Sequence, residues 1–324
     1  MKNELSRRSF ITTTVSVGSA VTAGLTGSKL VASNVISEGN IPETGEVCVF
    51  SKHLQWLDYP EMAAFAREAG FDGIDLTVRP RGHVEPENVE RDLPLAVKAV
   101  KAEGLAAPMM VSAVNDADLQ LSRRVLETAA EQGIGFYRMG YYRYSAEVPV
   151  EEYLVEVKRK MEKLARLNEK VGIRGSYQNH AGAGYFSGSI WDLWYVLKDL
   201  PAEWIGSQYD LRHAVFESPN NWKNGIRLIA DYVNTLAVKD SQWVITENGV
   251  PQAQLCPLGE GFADFSTLLE MLPRPKAPRP VSIHLEYPIG GAEHGARKLS
   301  VDRKVVMEAM KKDLAVFRKL QSAI

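Results

Sequence analysis

Several short stretches of this chain end in side chains able to hold a metal, move a proton or grip a sugar hydroxyl. The stretch GSYQNHAG places Gln178 and His180 two residues apart. Residues two apart on an extended strand point to the same side, so both address one region. His284 and Glu286 in VSIHLEYP repeat that spacing. Asp210 closes SQYD with His213 just beyond, and Lys239 and Asp240 close TLAVKD. Two earlier stretches contribute Lys52, His53, Gln55 and Trp56, then Asp75, Thr77 and Arg79. Carboxylates mixed with imidazoles are the donor set of a divalent cation such as Mn, Zn or Mg, so Asp210, Glu286 and His213 are the candidate metal ligands. The same carboxylates also suit a salt-bridged cluster with Lys239 and an arginine. Glu286, His180 and Lys239 are the candidate catalytic groups, able to take, return or stabilise a proton. Gln178, His53, Trp56, Arg79 and His284 are the candidate substrate contacts. Tyr141, Tyr142, Tyr185, Trp191 and Trp243 join Trp56 as candidate aromatic platforms for a ligand ring, although ordinary packing accounts for each one singly.

The elements that position these groups follow from a repeated junction. AREAGFDGIDL, VKAEGLAAPMMV, AAEQGIGFYRM and NEKVGIRGSYQ each pass from a helix end through a glycine into an apolar run. Glycine just past a helix accepts the left-handed conformation that ends it. The helical pieces are amphipathic: residues 151–170 put Leu154, Val157, Met161, Leu164 and Leu167 on one stripe. The strands are nearly all apolar, as expected when both faces are covered. Eight strand–helix units result, with strands near 46–51, 72–77, 106–112, 135–141, 173–178, 204–209, 233–238 and 281–286. Helices are predicted near 59–69, 91–103, 119–132, 151–170, 189–199, 222–231, 264–272 and 302–320. Eight alternations predict a single-domain (β/α)8 TIM barrel. A doubly wound open sheet is disfavoured, because no glycine-rich phosphate loop follows the first strand; the glycines of GEGFADF follow a loop. All six histidines (His53, His83, His180, His213, His284 and His294) fall in or just after a predicted strand end and none in a predicted helix. That concentration marks one functional face, the carboxyl ends of the strands.

Composition narrows the partners. Of 324 residues, 45% are hydrophobic and 24% charged, and the net charge is −2 without a basic patch. Nucleic acid is therefore an unexpected partner, and no long apolar run predicts a lasting membrane span. The first residues differ: Ser6-Arg7-Arg8-Ser9-Phe10-Ile11 followed by a mildly apolar stretch has the form of a twin-arginine export signal. It predicts a signal peptide over 1–32, a linker over 33–45 and a barrel over 46–324, with the twin-arginine machinery as a partner and an exported, periplasmic destination. Two cysteines without CxxC spacing argue against a zinc–thiolate site; both are expected to be free and buried, a disulfide staying open for an exported chain.

GFDGIDL in the second strand, NH closing the fifth, DLRH after the sixth, VKDS after the seventh, then LGEGFADF and LEYP occur in that order. Over residues 46–320 this pattern resembles the xylose isomerase-like TIM barrels, the sugar phosphate isomerase/epimerase group that also includes inosose dehydratases and relatives of endonuclease IV. The resemblance implies one divalent metal held by Glu, Asp, His and Glu on strands five to eight. Asp210 and Glu286 match that pattern, whereas Gln178 stands where a glutamate is expected and Ala237 where a histidine is expected. Gln178 still coordinates or hydrogen-bonds through its amide, but it takes no proton as a carboxylate does. His180, His213 or His284 is left to complete the ligands, or Lys239 to put its ammonium where the metal charge would sit. The implied activity is that of an exported, metal-assisted sugar isomerase or epimerase, moving a proton beside a carbonyl of a sugar or keto-sugar. A lyase or hydratase using one carboxylate base on an oxidised sugar, and a non-catalytic sugar-binding barrel, are the alternatives. An endonuclease IV-like nuclease would need a richer metal cluster and a basic face. Homo-oligomers are common among such barrels, and oligomeric state stays open.

Overall fold

The computed structural model describes residues 45–274 and 278–323; the export segment and most of the linker lie outside them. Eight parallel strands close into a barrel: β1 (Val47–Phe50), β2 (Gly73–Val78), β3 (Ala106–Ser112), β4 (Phe136–Arg138), β5 (Arg174–Gln178), β6 (Ile205–Asp210), β7 (Val233–Val238) and β10 (Val281–Ile283). β10 closes the ring by pairing with both β1 and β7. The helices are α1 (Tyr59–Ala69), α2 (Val89–Ala102), α3 (Gln120–Glu131), α4 (Val150–Val171), α5 (Ile190–Leu197), α6 (Leu211–Glu217), α7 (Trp222–Ile229), α8 (Phe265–Met271) and α9 (Arg303–Gln321). This is the predicted (β/α)8 architecture.

The local causes are those read from the sequence. Gly70 and Gly172 end α1 and α4 in the left-handed region, at φ 94° and 82°, where a Cβ would be strained. Val157, Met161, Leu164 and Leu167 of α4 are buried against the barrel, each worth roughly 1.5–3 kcal/mol of apolar burial. Asn168 shares that face, and its amide is fully used: Oδ1 accepts from Tyr137 Oη at 3.0 Å, and Nδ2 donates to the Trp204 carbonyl at 2.9 Å. It pins α4 to β4 and to the entry of β6. Cys48 and Cys256 are free and buried. No helix among the described residues is long and apolar enough to cross a membrane.

Three boundaries differ from the sequence reading. β4 ends at Arg138, because the chain then crosses close to the loop after β3: a Cβ on Gly140 would lie 2.5 Å from the Ala113 carbonyl. β10 ends at Ile283, so His284 and Glu286 belong to the loop beyond it. There the Leu285 amide leaves the ladder and donates to His53 Nε2 at 3.0 Å. The third difference is an insertion: β8 (Asp240–Ile245) and β9 (Pro251–Cys256) form an antiparallel hairpin directly after β7. No predicted element covers this stretch, although Asn248-Gly249 at its tip is a hairpin signal and Gly249 takes φ 76°.

Candidate active site

At the carboxyl ends of the strands, four side chains of alternating charge form a line. Asp210, the last residue of β6, is fully buried. Lys239 Nζ lies 3.3 Å from Asp210 Oδ2 and 2.9 Å from Glu286 Oε2. Lys52 Nζ, just past β1, lies 3.0 Å from Glu286 Oε1. The Lys239 side chain is only 4% exposed, whereas that of Glu286 is 23% exposed, so the carboxylate is the reachable member. Burial by itself would lower the Lys239 pKa, but Asp210 and Glu286 outweigh it and hold the ammonium above its usual range. Burial would raise Glu286, yet Lys239 and Lys52 keep its carboxylate well below the usual range. Lys52 is pulled below its usual value because burial outweighs Glu286 there.

Gln178 is a spacer in this network. Its Oε1 accepts from Arg138 Nη1 at 2.9 Å and from Tyr141 Oη at 2.6 Å. Its Nε2 donates to Asp210 Oδ2 at 2.8 Å. A glutamate here would pair with Arg138 but repel Asp210; the amide serves both neighbours with one neutral group. Asn179 does a purely structural job, clipping β5 to β6 by donating to the Asp210 carbonyl at 2.9 Å and accepting its amide at 2.8 Å.

The imidazoles separate into distinct roles. His180 is half-buried and its Nδ1 lies 2.8 Å from the Ala181 carbonyl. A carbonyl only accepts, so Nδ1 carries the proton and Nε2 is a bare base. Burial, aided by Lys239, keeps the ring below its usual pKa of 6.5, and it stacks on Tyr185 and lies tilted against His213, each at 4.1 Å. His284 is buried and stacks on Phe50 at 4.4 Å; its Nε2 meets Ser282 Oγ at 3.1 Å, which in turn donates to Asp75 Oδ2 at 2.6 Å. His53, expected to touch substrate, is instead fully buried, with Nδ1 on the Ala292 carbonyl and Nε2 accepting the Leu285 amide. Both nitrogens are spent on holding the loop that carries Glu286. Trp56 also turns away: it packs on Phe65 and under Arg303. His83 bonds the Leu54 carbonyl, and the His294 side chain is 83% exposed. His213 does lie in a helix, α6, which starts directly after β6 because Asp210 Oδ1 caps it through the His213 amide at 3.1 Å.

The expected cation set, Asp210, Glu286 and His213, does not fit a metal. His213 Nδ1 faces Arg212 Nη1 at 3.1 Å; a guanidinium only donates, so Nδ1 accepts and Nε2 holds the proton, leaving no free lone pair. Asp210 directs one oxygen at Gln178 and Lys239 and the other at a backbone amide. The Lys239 ammonium fills the position from which a cation would bridge the two carboxylates. Ala237, in register with both Asp210 and Ser282, contributes no donor. Among the described residues, no group of three or more His, Cys, Asp or Glu is placed to hold a metal.

Sequence reasoning missed two residues here. Phe50, the last residue of β1, is buried at the centre, with Lys52, Arg79 and Arg138 at 5.5, 5.7 and 6.0 Å from its ring. Arg138 is 6% exposed; as the one charge within the apolar run of residues 135–141 it carried a legible signal. The LGEGFADF segment proves to cradle the protein's own carboxylate. Asp240 accepts the amides of Ser241, Gly259, Gly261 and Ala263 at 2.8–3.1 Å, and a Cβ on Gly261 would sit 2.1 Å from its Oδ1. A cavity of about 680 Å³ opens at the amino-terminal ends of β4, β5 and β7, where Phe136, Arg174 and Val233 line it, away from these groups.

Residues 63–303 match the family model described as xylose isomerase-like TIM barrel. No curated protein matches the chain. Among solved structures, D-allulose 3-epimerase from Methylomonas sp. is similar at 14% identity and a TM-score of 0.60, over 86% of this chain and 99% of its own. A 3-keto-D-glucoside 4-epimerase from E. coli is similar at 14% and 0.60, over 84% and 98%. An L-ribulose 3-epimerase gives 14% and 0.63, over 86% and 95%. At such identity the likeness is one of fold.

Proposed function

Because the chain belongs to the xylose isomerase-like TIM barrel family, whose fold places chemistry at the carboxyl ends of the strands, we propose that this mouth is the active site of a sugar isomerase/epimerase-like enzyme. The observation that carries the reading is the line Asp210–Lys239–Glu286–Lys52, with one reachable carboxylate between two ammoniums. A sugar carbonyl oxygen accepting from Lys239 gains a fixed positive charge where an enolate would develop, the kind of preorganised stabilisation that contributes most to such steps. Glu286 then takes the proton from the adjacent carbon and returns it, while the bare Nε2 of His180 shuttles a hydroxyl proton between neighbouring oxygens. In the resting state Glu286 is too well stabilised to be a strong base. A substrate oxygen that draws Lys239 away raises its basicity, which couples binding to proton abstraction.

Gln178 supports a one-base course. The neutral amide replaces a second carboxylate, and His180 carries no Nε2 proton to deliver to the opposite face. Isomerisation or dehydration beside the carbonyl therefore suits the site better than two-base epimerisation. The expected metal has its counterpart in Lys239, and the reaction is proposed to run on that ammonium. Export through the Arg7–Arg8 segment, with a periplasmic destination, is part of the proposal; an Arg7→Lys/Arg8→Lys variant retained in the cytoplasm supports it.

The test is solvent exchange. Aldoses, ketoses and keto-sugars are incubated with the protein in D2O and followed by NMR. Deuterium entering at the carbon beside the carbonyl, and lost in Glu286→Gln, supports the reading. No exchange with any of these sugars, or exchange untouched by the substitution, overturns it in favour of a sugar-binding barrel.

A further inference from the structure

The acids of the mouth are committed, but two of its cations are not. Asp210 and Glu286 face Lys239 and Lys52. Arg79 and Arg138 stand over the same Phe50 ring, and among the described residues neither forms an ion pair. Arg138 is nine-tenths buried, its Nη1 donates only to the neutral Gln178 amide, and its Nε has no partner. The half-buried Arg79 guanidinium has no hydrogen bond at all among the described residues, and burial together with Arg138 pulls its pKa down to about 10. Asp75, a buried acid within electrostatic range of both, spends one oxygen on Ser282 and leaves the other unbonded.

Taking charge out of water is costly unless a counter-charge is supplied. Two adjacent guanidiniums that feel Asp75 and Glu286 only at a distance, with no carboxylate in contact, are held ready for an anion, and their planar forks match carboxylate or phosphate oxygens. Arg79 is also within electrostatic range of Glu286 and Tyr141, so an anion on it belongs to the same mouth as the proposed chemistry. We propose that Arg79 and Arg138 form an anion-recognition pair over Phe50, and that the substrate is an acidic sugar whose carboxylate or phosphate they hold. This rests on the isomerase/epimerase-like reading and narrows its substrate class. The anionic end is anchored on the Arg79–Arg138 side, leaving the carbonyl end for Lys239 and Glu286.

Calorimetric titration of the full chain tests this without needing turnover. The probes are glucuronate, galacturonate and gluconate, glucose 6-phosphate, and the neutral sugars glucose and fructose. Acidic sugars are expected to bind at least tenfold more tightly than neutral ones, with affinity falling as salt rises. Arg79→Met should weaken acidic-sugar binding at least tenfold, leave neutral-sugar binding within twofold, and be partly rescued by Arg79→Lys. Arg79 is less buried than Arg138, so its variant is expected to fold even where Arg138→Met does not. Preference for uronates and aldonates assigns a carboxylate; preference for glucose 6-phosphate assigns a phosphate. Neutral sugars binding as tightly as acidic ones, no binding of any acidic sugar, or acidic-sugar affinity unmoved by Arg79→Met overturns the proposal. Tight acidic-sugar binding without solvent exchange sinks the enzymatic reading alone; exchange on neutral sugars with no acidic-sugar binding sinks this one alone.

Discussion

Asp240 and Glu286 each follow a barrel strand, and the protein uses the two carboxylates in opposite ways. Asp240 receives four backbone amides from its own turn and the loop at 259–263. Glu286 receives two lysine ammoniums and keeps a reachable edge. Backbone donors are fixed by the chain path and have no other position to take. Lysine ammoniums sit on flexible stems and are able to shift onto a substrate oxygen. A carboxylate wrapped in amides is therefore a structural bolt, whereas one held by side chains is available for chemistry. The Arg79–Arg138 pair, which no carboxylate contacts, extends the contrast: it is charge for which the proposed substrate supplies the counter-ion.

The comparison breaks hardest at Lys239. Lys239→Met leaves Asp210 and Glu286 without their shared cation, and removing one partner of a buried charge set costs about 3–5 kcal/mol. Urea denaturation should show that loss, together with turnover reduced to background. Next comes Glu286→Gln. Turnover should fall about 10²–10⁴-fold, the usual worth of a positioned general base, with a smaller change in the urea midpoint than Lys239→Met. Asp240→Asn should do the reverse. It turns an amide NH2 toward backbone donors and removes charge-assisted bonds, costing about 1.5–3 kcal/mol, while kcat of the folded fraction stays within about threefold. If Asp240→Asn abolished turnover without loss of stability, the division between bolt and base would be wrong.

The smallest effect is a pH limb. Lys52 is held below its usual 10.5 by burial, whereas Lys239 is held above it. As pH rises, Lys52 loses its proton first and Glu286 gains basicity, so kcat/KM should rise on the alkaline side below pH 10.5. Lys52→Arg keeps the charge, and the rise should move to higher pH. An unmoved limb would assign it to another group. For stability the sign at Glu286 is the opposite. Its folded pKa is depressed, so its contribution is present above the ordinary carboxylate value and lost as pH falls through the depressed one. Glu286→Gln should remove that part of the acid sensitivity.

The fold was legible because its causes are local. Glycines after amphipathic helices mark four of the junctions and apolar strands recur eight times, and local signals of that kind survive in any tertiary context. The hairpin after β7 is signalled only by Asn248-Gly249, because its strands lie outside the ring and are largely exposed, so no apolar run marks them. The site was half legible. Gln178, Lys239, Asp210, Glu286 and His180 were found as polar groups at strand ends, and the structure brings them together. His53 and Trp56 looked equivalent to them in sequence. Nothing local distinguishes an imidazole facing substrate from one holding a loop; that depends on Ala292 and Leu285, more than two hundred residues away.

The sequence by itself determined the barrel, the face that carries its polar groups, and the two departures at Gln178 and Ala237. Tertiary structure alone decided what those departures mean. Lys52, Lys239, Asp210 and Glu286 come from four different strand ends, and their charges add only once the ring is closed. Electrostatic energy depends on distance and burial, and neither is written in the order of residues.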